Sequence, residues 1–300
     1  MAWGLEIDSE TLRLCRADLT RGRLHLRRRA EVAVPSGLIQ PSQKDGNVTD
    51  AAALSGLLRD LRRTAGCQGW VRVALPDPVF SLRSFASDEL PPKREEAQRF
   101  LRWQMRELLP FPAEEARLDF LPLGAGQDGR VRAVCLVARD GILGEYERAL
   151  TEAGLRASVL DARCITLAQV ATKALRPETA GLLAVGKTWT TLLLVREGRP
   201  RFCRTLHVGV EAWTGAYRPR LFREVADSLT FCQESDGLEA VEEVVLAGAG
   251  AWTAEAASAL TDWLGIPVTV LDLCTALRTE GHPDDLAQWG SAIGAAIRPC

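Results

Sequence analysis

Histidine and paired cysteines are scarce in this sequence of 300 residues. It has three histidines and eight cysteines, and no two cysteines form a C-x-x-C pair. Zinc sites and disulfide frameworks normally show such pairs or a regular cysteine spacing. The sequence therefore argues against both, and the isolated histidines give no support for a serine–histidine–aspartate triad. Scattered cysteines are typical of a protein from a reducing compartment.

Long apolar runs and a dominant charge are also missing. No apolar segment approaches about 18 residues, the length that crosses a membrane, and the N-terminus does not resemble a signal peptide. With 37 basic and 39 acidic residues the formal net charge is −2, which disfavours nucleic acid as a partner. An apolar content of 47% allows a large buried interior, and the length favours two lobes. We expect a cytoplasmic α/β protein with no membrane span of its own.

Residues 181–188, GLLAVGKT, match the phosphate-binding pattern G-x-x-x-x-G-K-[ST]. A functional loop of this kind lies between a strand and a helix that begins at the lysine. Here apolar residues fill the loop positions, and residues 189–195 are rich in β-branched and aromatic side chains, which is typical of a strand. The pattern therefore predicts a β-hairpin that turns at Gly186 and Lys187 rather than a P-loop.

Both halves of the sequence begin with three predicted strands. Those of the first half lie within residues 3–34 and those of the second half within residues 181–207, and a hairpin joins the first two in each half. A Gly-rich connection, Gly248-Ala249-Gly250-Ala251, follows a later predicted strand of residues 244–246. Two halves with the same beginning indicate a duplicated architecture.

Two hairpins that each open a lobe, together with a Gly-rich turn, resemble the nucleotide cleft of the actin, Hsp70 and hexokinase superfamily. More narrowly, the order of motifs resembles the type IV pilus assembly protein M (PilM) family, a relative of the cell-division protein FtsA. The segments that carry this resemblance are WGLEIDSETLRLCRAD, VAVPSGLI, VALPDPVFSLRSF, ELPPKREEAQRFLRWQMRELLPFP, ARLDFLPLG, VCLVARDGILGEYERALTEAGLRASVLDARCITLAQ, VVLAGAGAW, LGIPVTVLD and GSAIGAAIR. They cover nearly the whole chain.

The resemblance implies an α/β, actin-like (ribonuclease H-like) fold of two lobes with an inserted FtsA/PilM-type subdomain, called 1C. It implies a first-lobe core (1A) over residues 1–78, the inserted subdomain over 79–154, a return to the first lobe over 155–177 and a second lobe (2A) over 178–300. The family also has a second-lobe lid (2B). Only a short stretch around 209–220 is left for it here, so we expect a reduced or missing lid.

The resemblance also places candidate nucleotide-binding residues at the two hairpin turns and the Gly-rich connection. These residues are Ser9, Thr11, Arg13, Gly186, Lys187, Thr188, Gly248, Ala249 and Gly250. The chain departs from the family at three positions that matter for phosphate and metal binding. Asp8 stands where the first turn needs a glycine, Glu6 replaces the usual aspartate, and Ala184 stands where the second hairpin has the aspartate that holds the metal's water shell.

Additional carboxylates repel a triphosphate unless a metal ion neutralises them. A missing lid would also let water into the cleft and weaken every electrostatic contact there. We therefore expect no cofactor, with ATP and Mg²⁺ as the alternative if the cleft has kept its function. The sequence indicates no catalytic residue and no metal ligand.

A predicted helix over residues 92–109 offers a candidate partner surface. Its apolar stripe consists of Ala97, Phe100, Leu101, Met105 and Leu108, which indicates core packing. Trp103 lies off that stripe among charged residues, so it either belongs to an interface or packs against another subdomain. We expect Phe100, Trp103 and Arg106 to lie near a groove between the first-lobe sheet and the inserted subdomain.

The resemblance implies a cytoplasmic scaffold of a type IV pilus or type II secretion-like platform that does not hydrolyse ATP. Such a scaffold binds the cytoplasmic tail of a PilN-like inner-membrane protein through backbone pairing or apolar anchors, and it can form a homo-oligomer or ring. The protein would thus be peripheral to the inner membrane through its partner. The alternative is a nucleotide-binding, actin-like ATPase that switches pilus assembly. A sugar or acyl kinase of the same fold is a third hypothesis. It needs a catalytic carboxylate in the cleft, for which the sequence offers only Glu6 and Asp8.

Overall fold

A computed structural model of the chain describes residues 2–126, 128–173, 179–213, 218–236, 240–248, 254–279 and 286–298. These residues form three sheets and eight α-helices. In chain order the elements are β1 (Ala2–Ile7), β2 (Thr11–Thr20), β3 (Arg23–Ala33), α1 (Ala51–Ala65), β4 (Gly69–Leu75), β5 (Ser81–Ser87), α2 (Arg94–Gln104), β6 (Ala116–Ala125), β7 (Val131–Arg139), α3 (Asp140–Glu152), β8 (Leu155–Ala162), α4 (Arg163–Ala171), β9 (Thr179–Val185), β10 (Thr190–Arg196), β11 (Arg199–Leu206), α5 (Arg218–Asp236), β12 (Glu243–Gly248), α6 (Ala254–Leu264), β13 (Val268–Val270), α7 (Leu273–Ala276) and α8 (Gly290–Ile297).

The first sheet has the strand order β3-β2-β1-β4-β8. The three N-terminal strands are antiparallel, whereas β4 and β8 add in parallel after helical connections. Five of the six residues of β1 are buried, as expected for a strand in the middle of a sheet. Helix α1 begins where Asp50 accepts a hydrogen bond from Ala53 N at 2.9 Å, and it ends at Gly66, whose φ is 67°.

The second sheet repeats this order as β11-β10-β9-β12-β13. The duplication predicted from the two hairpins is therefore confirmed. Strands β9 and β10 are antiparallel, and Val185 pairs with Thr190 across the turn. The segment GLLAVGKT thus lies in a hairpin, and the lysine is followed by a strand. This confirms the prediction that the segment is not a P-loop.

A third sheet of three strands, β5-β7-β6, is inserted between β4 and β8. Helix α2 covers one face of it through Leu101 and Met105, which pack with Cys135 and Val137 of β7. The helix ends at Gln104 rather than at residue 109. Leu108, which we expected in the apolar stripe, is consequently 59% exposed.

Two helices lie elsewhere than the predicted domain ranges imply. Helix α3 falls within the range 79–154, but it packs against α1 and β8 in the core of the first lobe. Helix α8 falls within the range 178–300, but it packs against β1, β2, β4 and α4. Its small residues allow this close approach: a Cβ on Gly4 would lie 2.0 Å from the Ala292 carbonyl oxygen, and one on Gly294 would lie 1.8 Å from that of Thr166.

The segment around 209–220 contains a short 3-10 helix, Val210–Trp213, and the first residues of α5. Between them lie residues 214–217, which are outside the described part of the chain. The reduced lid therefore stays a prediction. None of the described helices is both long enough and apolar enough to cross a membrane.

Candidate functional site

The turns of the two hairpins approach each other in the cleft between the lobes. Lys187 in the turn between β9 and β10 forms an ion pair with Glu10 in the turn between β1 and β2. The amine that the sequence offers for a phosphate is therefore engaged with a carboxylate of the other lobe. Thr188, the next residue, is exposed.

The side chain of Asp8 forms hydrogen bonds within the first turn itself. Asp8 accepts a hydrogen bond from the backbone N–H of Ser9 at 2.6 Å and one from the Ser9 hydroxyl at 3.2 Å. Its backbone N–H donates to the carbonyl of Thr11 at 3.1 Å. Donors that could approach a phosphate are thus already paired, and the Asp8 carboxylate adds negative charge at this point.

A cluster of buried charges lies beneath the two turns. Glu6 is 1% exposed and accepts a hydrogen bond from Arg163 Nε to its Oε1 at 3.0 Å. Arg13 Nη1 lies 3.5 Å from the second oxygen of the same carboxylate, and Arg13 Nε lies 3.3 Å from Glu31. Burial raises the pKa of Glu6, and the charges of both arginines oppose that rise.

Arg163 begins α4 in the first lobe, and its guanidinium reaches the second lobe. A Cβ on Gly186 would lie 3.6 Å from its Nη1, and a Cβ on Gly248 would lie 3.1 Å from its Nη2. Burial alone would lower the pKa of Arg163, but the carboxylates of Glu6, Asp8 and Asp77 outweigh it and raise that pKa. The guanidinium is therefore a fixed cation between the lobes.

These residues do not fit a metal-bound nucleotide. The described residues contain no group of three or more side chains that could hold a metal ion, and Ala184, which is fully buried, has no ligand atom. The Asp8 carboxylate in the first turn opposes a polyphosphate, while Glu6 and Glu10 are already paired with basic side chains. Gly248 ends β12, while Ala249 and Gly250, the other candidates for the nucleoside, lie outside the described residues.

A second concavity of about 430 Å³ lies where the first lobe, the third sheet and strand β11 meet. We call it the basic groove. Its lining residues are Pro41, Ser42, Gln43, Lys44, Pro78, Phe80, Ser81, Leu82, Arg83, Pro110, Cys203, Arg204, Thr205 and His207. Prolines and apolar side chains form much of this lining, and its charged members are all basic.

The positive charge of the groove is largely uncompensated. Arg204 donates to the Ser228 hydroxyl at 3.0 Å and lies 3.9 Å from Glu224. Within the described part of the chain, the charged ends of Lys44 and Arg83 have no carboxylate within ion-pair distance. The groove thus offers free cationic groups on a chain whose overall charge is slightly negative.

Two edge strands border the groove, and its loop is held in place. Strand β5 is the edge of the third sheet and β11 is the edge of the second. Gln43 Nε2 donates to the carbonyl of Phe80 at 2.8 Å, which fixes the loop of residues 41–44 against the third sheet. The Glu145 carboxylate accepts the backbone N–H groups of Asn47 and Val48 at 2.7 and 2.9 Å. The groove is therefore preformed.

None of the three predicted partner-binding residues lines this groove. Phe100 packs edge-on against Phe85 with ring centroids 5.9 Å apart, in the interior of the inserted subdomain. Trp103 is 57% exposed, and the Arg106 guanidinium lies 4.6 Å from its ring centroid. The sequence led us to expect a groove between the first-lobe sheet and the inserted subdomain, but sequence reasoning missed the residues that line this one, because they come from segments far apart in the chain. The prolines of QPSQK, LPDP and LPFP were the available signal.

Comparisons with known proteins agree with this architecture. The family model described as type IV pilus assembly protein PilM matches residues 4–217. A structure of the PilM–PilN type IV pilus biogenesis complex contains a chain that is 25% identical, with a TM-score of 0.82 over 99% of both chains. A Bacteroides thetaiotaomicron protein of unknown function with an actin-like ATPase fold is 10% identical, with a TM-score of 0.51 over 93% of this chain and 96% of that one. The latter shows the fold alone, which is actin-like as predicted. Comparison with curated proteins gave no significant match.

Proposed function

The chain belongs to the type IV pilus assembly protein PilM family, and on that premise we propose that it is a scaffold of a type IV pilus assembly platform. In this role it holds the cytoplasmic tail of a PilN-like inner-membrane protein in the basic groove. The similarity to the PilM chain of a PilM–PilN complex over nearly its full length is the observation that carries the proposal. The scaffold would be peripheral to the inner membrane through this partner.

The groove suits an extended peptide for two physical reasons, and it lies where the edge strands β5 and β11 contact each other. Phe80, Leu82 and the prolines of the lining can hold apolar side chains of the tail. The uncompensated charges of Lys44 and Arg83 attract acidic groups of a partner and orient it.

A scaffold of this kind needs no ATP hydrolysis, and the cleft supports that part of the proposal. Lys187 is paired with Glu10, and Asp8 occupies the first turn. The alternative, a nucleotide-driven switch, is favoured by the actin-like fold and by the retained Gly186. It would require Lys187 to leave Glu10 and a polyphosphate to enter beside the Asp8 carboxylate.

Fluorescence anisotropy with a labelled peptide tests the proposal directly. The peptide is the cytoplasmic tail of a PilN-type protein from the same organism. We expect saturable binding that Arg83→Glu weakens about 10-fold or more, because it places a like charge beside an acidic tail. Arg27→Glu is the matched control, because Arg27 is an exposed arginine of β3 outside the groove. A wild-type protein that does not bind the tail, or two variants that bind it equally, would contradict the proposal.

A further inference from the structure

The interlobe cleft is joined by direct contacts between protein groups. Besides the ion pair of Lys187 with Glu10, helix α4 of the first lobe packs against β9 and β10 of the second. The sulfur atoms of Cys164 in α4 and Cys203 in β11 are 3.9 Å apart. These contacts surround the position of the Arg163 side chain.

The Arg163 side chain is buried between the two lobes, at a position where a ligand would otherwise lie. It is 2% exposed, and its Nε is 3.0 Å from a carboxylate oxygen of Glu6. Its two terminal nitrogens face Gly186 and Gly248, which have no side chains to exclude them. Asp77 lies on the same side and accepts the backbone N–H of Cys164 at 2.7 Å.

We propose that Arg163 is a built-in cation that takes the place of a metal-bound nucleotide and holds the two lobes together permanently. A divalent cation in such a cleft would neutralise first-lobe carboxylates and link them to phosphates held by second-lobe glycines. Here one covalently attached guanidinium neutralises Glu6 and fills the space beside both glycines. The lobes are consequently closed without any ligand.

The stability of this buried ion pair depends on the presence of both partners. A buried ion pair adds little net stability compared with a well-packed apolar pair, but removal of one partner leaves an uncompensated buried charge and is strongly destabilising. Without Arg163, Glu6 would keep only Arg13, whose Nη1 is 3.5 Å away and which also pairs with Glu31. The proposal concerns the lobes only, and it holds whichever partner binds the groove.

Thermal unfolding with and without ligands gives the first test. The melting temperature of the wild-type protein should change by less than about 1 °C with 5 mM Mg-ATP, Mg-ADP or inorganic phosphate, because a site filled by a side chain gains nothing by mass action. Arg163→Met should lower it by about 5 to 10 °C. The double variant Glu6→Gln/Arg163→Met should recover at least half of that loss, because neither residue then carries a charge.

Hydrogen exchange separates a link between lobes from a purely local role. In Arg163→Met the amides of residues 186–190 and 244–248 of the second lobe should exchange faster than in the wild type. Arg298→Met is the matched control, since Arg298 pairs with the buried carboxylate of Asp161 within the first lobe. It should leave exchange in those second-lobe segments unchanged.

Three results would overturn the proposal. One is a saturable rise in the wild-type melting temperature with nucleotide or phosphate, which would show that the cleft still accepts a ligand. Another is a double variant whose loss equals or exceeds that of Arg163→Met, which would show a packing role. The last is second-lobe exchange that responds equally to Arg298→Met. If Arg163→Met does not fold, the wild-type titration and the double variant still decide.

Discussion

The interlobe cleft and the basic groove both contain basic side chains, but these are engaged in opposite ways. In the cleft, Arg163 is paired with the buried carboxylate of Glu6, and Lys187 is paired with Glu10. In the groove, Arg83 has no carboxylate partner within the described residues. The basic side chains of the cleft are paired within the protein, whereas that of the groove is available to a partner.

This difference indicates where binding takes place in this chain. Buried charges that are paired within the protein fix one arrangement of the lobes and offer less to a ligand than unpaired charges do. Uncompensated charges beside apolar side chains and edge strands are available to a partner. In an actin-like fold one expects binding at the cleft, but here the arrangement of charges favours the groove.

The largest effect should follow from breaking the compensation in the cleft. Glu6→Leu leaves Arg163 without its carboxylate and should lower the free energy of unfolding by about 3 to 5 kcal/mol, measured in urea. Glu31→Leu is the control, because the ion pair that Glu31 forms among the described residues is with Arg13 and its side chain is 48% exposed. It should cost about 1 kcal/mol or less. Equal losses from the two variants would show that burial of the Glu6 pair has no special role.

A second prediction concerns the buried carboxylate of Asp161, which is paired with Arg298. Burial raises the pKa of Asp161 from 3.8 to about 6, against the opposing charge of Arg298. Between these two pH values the folded state keeps a proton on Asp161 that the unfolded state has lost. The contribution of Asp161 to the free energy of unfolding therefore falls as pH rises from about 4 to 6 and stays constant above pH 6. This group should contribute a loss of about 3 kcal/mol over that range.

The Asp161→Asn variant isolates this contribution because asparagine does not titrate. The difference in unfolding free energy between variant and wild type should therefore shift in favour of the variant between pH 4 and pH 6. A difference that is the same at both values would mean that Asp161 stays ionised in the folded state. The carboxylate would then resemble the fully compensated charges of the cleft.

Salt should separate the two regions. Charges at the exposed rim of the groove are screened by ions, whereas buried pairs are screened little. Raising NaCl from 50 to 500 mM should weaken binding of the partner tail about 10-fold and leave the melting temperature within about 2 °C. Tail binding that does not depend on salt would remove the electrostatic part of the groove's role and leave the apolar and backbone contacts.

The sequence was informative where local pattern determines structure. The alternation and turns of residues 3–34 and 181–207 predicted both hairpins, and the resemblance predicted the inserted sheet. The departures at Asp8 and Ala184 already indicated an altered cleft, because an aspartate disfavours the approach of phosphate and an alanine has no atom that binds a metal. Leu108 was misplaced because the helix ends at Gln104, and helix ends depend on local competition that periodicity does not report.

The residues that line the groove and the position of Arg163 could not be predicted in this way. Arg163 is separated from Glu6 by 157 positions, and no local sequence pattern at either residue indicates that the two side chains pair. The groove joins residues 41–44 of a loop, 78–83 at the start of the third sheet and 203–207 of the second lobe. Such sites depend on tertiary packing, and without an alignment the sequence carries no record of which distant residues meet.

The smallest effect is expected for the ion pair between Lys187 and Glu10, and it is the most informative about the alternative function. Both side chains are about half exposed, so Lys187→Met should change the free energy of unfolding by about 1 kcal/mol or less. ATP turnover by the wild type, measured as released phosphate, should not exceed that of a protein-free control, and the variant should not differ. Turnover that Lys187→Met abolishes would mean that the lysine leaves Glu10 for a phosphate. The cleft would then bind nucleotide, and it would no longer differ from the basic groove in having its charges paired within the protein.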